Sequence, residues 1–257
     1  MARRTEGVIE SALNASALRR WSRAARTAAT TELQTLRRQR QQARALVSRL
    51  ADLIHVADSR LALPRIGSTA FARPGGTDWS WRPQAWRGPL EVKGMTAVPT
   101  QTMLGNEVTL FHNCTESELT LRQLRNTREE DLAPFALRLD VFRFDGTFLS
   151  LVLDLPQDAV QGLQRRHILR VSAIAEVERP LDIFVRLNIK HGPNTDTLVQ
   201  ELPRGGHEGM VEFDLAYTEL NEKRLEKAWL DIIFGGPEMN QITLRDLTVC
   251  RYPRAEL

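Results

Sequence analysis

The feature that most constrains this chain is a change of period near residue 90. Up to about Leu61 the apolar residues recur at helical spacing. From Leu90 to Tyr252 they recur in short alternating runs, ending in Ala228-Trp-Leu-Asp-Ile-Ile-Phe234, a turn, and Gln241-Ile-Thr-Leu-Arg-Asp-Leu-Thr-Val249. Alternation at period two sends successive side chains to opposite faces of a sheet, whereas a period of 3.6 marks one face of a helix. The pattern predicts a basic helical segment over 1–61, a Pro/Gly/Trp-rich connector over 62–89 and a β domain over 90–257. The β portion is long enough to bury a core without staples.

Within the helical segment, positions 33, 40, 47, 54 and 61 read Leu, Arg, Val, Ile and Leu, and positions 36, 43, 50 and 57 read Leu, Ala, Leu and Ala. Arg40 alone breaks this heptad seam, which is the pattern of a coiled coil or a helical hairpin. Leu18, Trp21, Ala25 and Ala28 form a second stripe offset from the first, so a break is expected near Thr30-Thr31. A lone helix of this kind is marginal in water. Burial of Leu33, Leu36, Val47, Leu50 and Ile54 is therefore expected against a second copy through residues 33–61, against the chain's own first half, or against the β domain.

The net charge of +3 hides a split. Residues 1–60 carry twelve arginines, no lysine and five acids, a net of +7, which leaves −4 for the remainder. Arginine makes bidentate contacts with phosphate and carboxylate, so nucleic acid, anionic lipid or an acidic polymer would suit the segment. A solvated face in an arginine-preferring chain explains the same residues more plainly, and nucleic acid ranks below self-association or docking. No apolar run reaches the length of a signal peptide or of a membrane span. Cys114 and Cys250 are too few for a disulfide framework. A soluble protein of the cytoplasm is the expectation, with export by a route lacking a cleaved signal left open.

The connector holds Asp78-Trp79-Ser80-Trp81-Arg82-Pro83-Gln84-Ala85-Trp86-Arg87, with three of the five tryptophans of the chain. Exposed indoles would stack sugar rings or anchor a protein interface. Alternatively the loop lies across the sandwich and its tryptophans plug an open end.

Strands are predicted over 90–98, 106–112, 117–122, 136–144, 147–155, 166–176, 181–190, 196–202, 210–217, 228–235 and 241–252, and a short helical turn over 218–226. Turn signals separate them, among them Asp145-Gly146, Gly192-Pro193-Asn194, Gly205-Gly206 and Gly235-Gly236-Pro237. Strands at this spacing without alternating helices make a mainly β fold, a two-sheet antiparallel β-sandwich of jelly-roll type. The closing segments, with Ile242-Thr-Leu-Arg-Asp-Leu-Thr-Val249 as the final strand, resemble the galactose-binding-like jelly rolls used by many carbohydrate-binding modules. The resemblance covers 166–252 and is one of alternation; it implies a jelly roll and, more distantly, sugar binding, since one fold serves unrelated functions.

Alternation also names the residues of a candidate ligand face. In 181–190, Leu181, Ile183, Val185, Leu187 and Ile189 point into the core, while Asp182, Phe184, Arg186, Asn188 and Lys190 point out, followed by His191 and Asn194 in the turn. Arg138 and Asp140 stand opposite Leu137, Leu139 and Val141. With Trp79, Trp81 and Trp86 these supply the planar donors, acceptors and stacking surfaces that hydroxyl-rich ligands require, although the outer face of any antiparallel sheet reads similarly. Arg186→Ala is expected to weaken an acidic polysaccharide at least about tenfold without moving the melting temperature. No catalytic group, cofactor or metal is assigned: no carboxylate pair stands out for glycoside hydrolysis, and His112 with Cys114 lack two further ligands at zinc spacing. The chain reads as a non-catalytic glycan-binding sandwich on a self-associating helical arm. A structural or assembly protein binding another protein through the sandwich and the Trp-rich loop is the alternative, and a polysaccharide-active enzyme the third.

Overall fold

The computed structural model describes residues 2–61, 70–203 and 208–254, the side chains of 2–13, 48, 51, 52 and 54–61 excepted. Ile54 of the seam and the Gly205-Gly206 turn lie outside what is described. The chain packs as two compact units, Met1–Ala57 and Asp58–Leu257.

In the first unit α1 (Ala2–Thr27) runs into a 3-10 turn (Ala28–Thr30), and α2 spans Leu33–Leu61. The break falls at the expected threonines for a local reason. The Thr27 hydroxyl donates to the Arg23 carbonyl (3.1 Å), and those of Thr30 and Thr31 donate to the Thr27 carbonyl (3.2 and 2.8 Å). Side-chain hydroxyls thus take up carbonyls at the helix end, and Thr31 is extended. The two helices meet as a hairpin: Arg20 Nη2 donates to Gln42 Oε1 (3.1 Å), and Trp21, Ala24, Ala28, Leu36, Gln39 and Ala43 are half-buried. The expected burial of the seam does not hold at its other described leucine and valine positions within the chain. Leu33, Val47 and Leu50 are 71%, 65% and 53% exposed; the half-buried positions of α2 are Thr35, Leu36, Gln39 and Ala43 in its first part, and Val47 and Leu50 continue that face beyond them. Among the described residues no helix is long and apolar enough to cross a membrane.

The second unit is an antiparallel sandwich. Its strands are β1 (Trp79–Trp81), β2 (Gly94–Thr96), β3 (Thr102–Leu104), β4 (Val108–His112), β5 (Leu119–Arg125), β6 (Phe135–Val141), β7 (Leu149–Asp154), β8 (His167–Val177), β9 (Asp182–His191), β10 (Asn194–Glu201), β11 (Gly209–Asp214), β12 (Leu225–Gly235) and β13 (Asn240–Pro253); α3 is Gln84–Arg87 and α4 Gln157–Val160. Among the described residues one sheet runs β11-β8-β13-β6-β5-β2, with β1 also on β13, and the other β10-β9-β12-β7-β4-β3. All pairings are antiparallel. The expected inward set of β9 is buried with Leu181, and the core joins it to Phe213, Phe234 and the leucines of β4, β6 and β7. β1 and β3, three residues each, fell below the length at which alternation can be read. The turn expected over 218–226 is a 3-10 turn at Glu222–Arg224 capped by Asn221, preceded by another at Leu215–Tyr217 capped by Asp214.

The connector tryptophans are not a stacking surface. Trp79 and Trp81 pair with Arg251 and Val249, so both indoles take the inward parity of β13 and are 9% and 7% exposed. Trp86 is 0% exposed, and its indole N–H donates to the Leu244 carbonyl (2.8 Å) at a bulge between Leu244 and Asp246. Ion pairs hold the same segment down. Arg82 grips both oxygens of Asp246 (2.8 and 2.7 Å), and Arg251 Nε donates to Asp78 Oδ1 (2.9 Å). Residues 78–87 are thus part of the sandwich, and Trp79, Trp81 and Trp86 leave the candidate ligand set.

Candidate functional site

The six-stranded sheet presents a groove on its outer face. Pairing sets its layout: Arg186 on β9 lies opposite Asp231 on β12, which lies opposite Val152 on β7, and in the next row Asn188 lies opposite Trp229. Phe111 of β4 faces Ser150, and Ile233 completes that row from β12. With Phe148 these residues line a groove of about 640 Å³, within the range of small-ligand sites. Its floor is apolar and aromatic, with Trp229 half-buried and Phe148 exposed.

The polar centre is built on Asp231, which is 2% exposed. Its Oδ2 accepts from Arg186 Nε (2.6 Å) and Asn188 Nδ2 (3.0 Å), while Asn188 Oδ1 accepts from the Thr197 hydroxyl (3.2 Å). Desolvating a carboxylate is costly unless it is bonded and paired, so these donors are what allow it here. Arg186 reaches this carboxylate through Nε, has a 44%-exposed side chain and lines the groove. Arg186 is thus also the partner of a buried acid. Lys227 Nζ sits 5.0 Å from the centre of the Trp229 ring, a cation–π distance.

The other expected residues are dispersed. Phe184 shares the outer face one row from Arg186 and lies opposite Ile233. Lys190 is paired with Glu226 (2.6 Å), and Asn194 is exposed at the hairpin end. His191 does not join the ligand face: it keeps the parity of the inward set, is buried, and stands 3.2 Å from Asp196. Arg138 and Asp140 belong to the other sheet. There Asp140 accepts from Thr120 (2.9 Å), Arg122 (2.7 Å), Arg138 (3.0 Å) and Gln241 (3.0 Å). Burial alone would raise its carboxyl, but the bonds from Arg122, Thr120 and Arg138 hold it below the usual range. One contiguous ligand face from both strands is therefore ruled out by topology. His112 has both ring nitrogens on backbone, accepting from the Cys114 N–H at Nδ1 (3.2 Å) and donating from Nε2 to Val98 O (2.9 Å), which is a structural use of the ring. Among the described residues no group of three His, Cys, Asp or Glu is placed to hold a metal.

Trp229, Asp231, Phe111, Phe148, Ser150, Val152 and Ile233 were not singled out from the sequence. A signal existed in β12, where Trp229, Asp231 and Ile233 alternate against Leu230, Ile232 and Phe234. A strand apolar at both parities has an outer face unlike ordinary solvated surface.

A family model matches residues 1–257, the whole of the sequence, under the description "Family of unknown function (DUF6478)". The chain belongs to that family. No curated protein matches it in sequence. Among solved structures it is similar to the CBM22-1 xylan-binding domain from Paenibacillus barcinonensis Xyn10C, at 9% identity over 65% of this chain and 97% of that one, TM-score 0.38. It is similar to the family 11 carbohydrate-binding module from Clostridium thermocellum, in complex with a β-1,3-1,4-mixed-linked tetrasaccharide, at 8% identity over 64% and 97%, TM-score 0.39. It is also similar to the enzymatically active domain of tailspike protein 4 of bacteriophage CBA120, at 8% identity over 56% of this chain and 19% of that one, TM-score 0.40.

Proposed function

We propose that the sandwich is a non-catalytic glycan-binding domain that takes an extended sugar chain in the groove of its six-stranded sheet. The observation that carries this reading is the half-buried Trp229 indole beside a fixed Arg186–Asp231–Asn188 cluster in an open groove. A sugar ring needs a flat apolar face below it and planar donors and acceptors at its rim, and the groove has both. Asp231 is the one acid lining it and is already bonded to Arg186 and Asn188; two-carboxylate hydrolysis would need a second. Affinity should be micromolar to millimolar, since association costs offset most of the gain from a shallow site.

The test is titration calorimetry of the full chain against neutral and acidic polysaccharides. Trp229→Ala should lower affinity at least about tenfold, about 1.4 kcal/mol, with unchanged circular dichroism. Arg186→Gln should lose acidic chains preferentially and also lower stability by about 1 kcal/mol, because Asp231 keeps one donor fewer. Wild type that retains no polysaccharide, or Trp229→Ala that binds as wild type does, would overturn the reading.

A further inference from the structure

We infer that the helical hairpin docks on an anionic membrane surface, with the apolar stripe of α2 against the lipid and its arginines on the headgroups. Leu46, Val47, Leu50 and Leu53 are all exposed. Their spacing, i, i+1, i+4 and i+7, gathers them on one face of α2. At 3.6 residues per turn Arg40 and Arg44 fall along one border of that face, and Arg38 and Arg49 along the other. A helix with an aliphatic face bordered on both sides by arginine suits the bilayer interface, where the stripe sinks among acyl chains and the long side chains reach back to phosphate.

The first helix adds charge of the same sign. Ser16, Arg19, Arg20, Arg23 and Thr27 line a concavity of about 590 Å³ with Trp21. The Arg20 guanidinium lies 5.4 Å from the centre of the Trp21 ring. Glu32 is the one acid from residue 11 to residue 51, against nine arginines. That imbalance separates the competing occupants. A second copy of the same stripe would bring two strongly basic surfaces together, and nucleic acid would leave the four aliphatic side chains in water. An anionic bilayer satisfies both the charge and the stripe, and a cluster of arginines of this size falls in the range that surface potential holds at a membrane.

Sedimentation of the full chain with phosphatidylcholine vesicles, with and without phosphatidylserine, tests this. Binding is expected to the mixed vesicles and not to phosphatidylcholine alone, falling at least about tenfold between 0.1 M and 1 M salt as the screening length shortens. Leu50→Asp should lower it at least about tenfold with helicity retained, and Arg40→Gln with Arg44→Gln should lower it at low salt alone. Failure to sediment with anionic vesicles overturns the inference. So does Leu50→Asp binding as wild type, which would mark a purely electrostatic partner such as nucleic acid. A vesicle-inert dimer that Leu50→Asp splits, seen by light scattering, would give the stripe to a second copy instead. None of these outcomes bears on the groove of the sandwich.

Discussion

At the scale of residues, the titration of His167 follows from its burial and its partners. His167 is 3% exposed, accepts the Gln164 N–H at Nδ1 (3.0 Å), and has Nε2 3.6 Å from Asp78 Oδ2. Burial lowers its pKa and outweighs the pull of Asp78, while Arg251 and Arg166 lower it further and Glu222 opposes them. A histidine held neutral in the folded state gives stability that is present above its unfolded value, about 6.5, and lost as pH falls below that value toward the folded one. The melting temperature should therefore decline as pH drops from about 6.5 to 5.5, and His167→Asn, which keeps an acceptor, should flatten that slope. Identical slopes in differential scanning calorimetry would place the acid sensitivity elsewhere. Tyr252 shows the opposite direction: burial, then its bond to Glu212, pushes the phenol up to about 12. Arg170 caps the same Glu212 (2.6 Å) on the outer face of the larger sheet.

At the scale of elements, the segment 78–87 is the least expected. It carries a proline- and glycine-flanked stretch that sequence pattern reads as an irregular connector, yet β1 extends the edge of β13 and α3 seats Trp86 over the bulge. Two indoles at alternating positions, Trp79 and Trp81, are a strand signal too short to stand out. The Arg82–Asp246 pair, with side chains 3% and 11% exposed, ties this segment to the strand at the end of the chain. Removing one member of a buried pair strands the other, at about 3–5 kcal/mol. In a domain of this size Arg82→Met should thus lower the melting temperature by at least about 6 °C. Arg82→Met with Asp246→Leu should recover part of the loss, because no charge is then left buried. A single variant that melts within about 2 °C of wild type would show that the pair does not hold the segment.

At the scale of the whole molecule, two units of different character share one chain, and each has its own contacts. Residues 70–257 should fold alone, with a β-type circular dichroism spectrum and a cooperative melt within a few degrees of that of the full chain. Loss of the cooperative melt would show that the sandwich depends on the hairpin. What the sequence determined by itself was period: where helix yields to strand, eleven of the strands, the break at Thr30-Thr31, and the inward set of β9. These are local, because side-chain parity and helical phase are set by neighbours within a turn or two. What only the tertiary structure decided was which strands lie side by side. That put Arg138 and Asp140 on the opposite sheet from Arg186, drew Trp229 and Asp231 beside it from 43 or more residues away in the chain, and turned Trp79, Trp81 and Trp86 inward. Alternation says that a side chain leaves its strand on one face or the other, but whether that face meets water, a second sheet or a neighbour's carboxylate depends on pairings between distant segments, which no local period encodes.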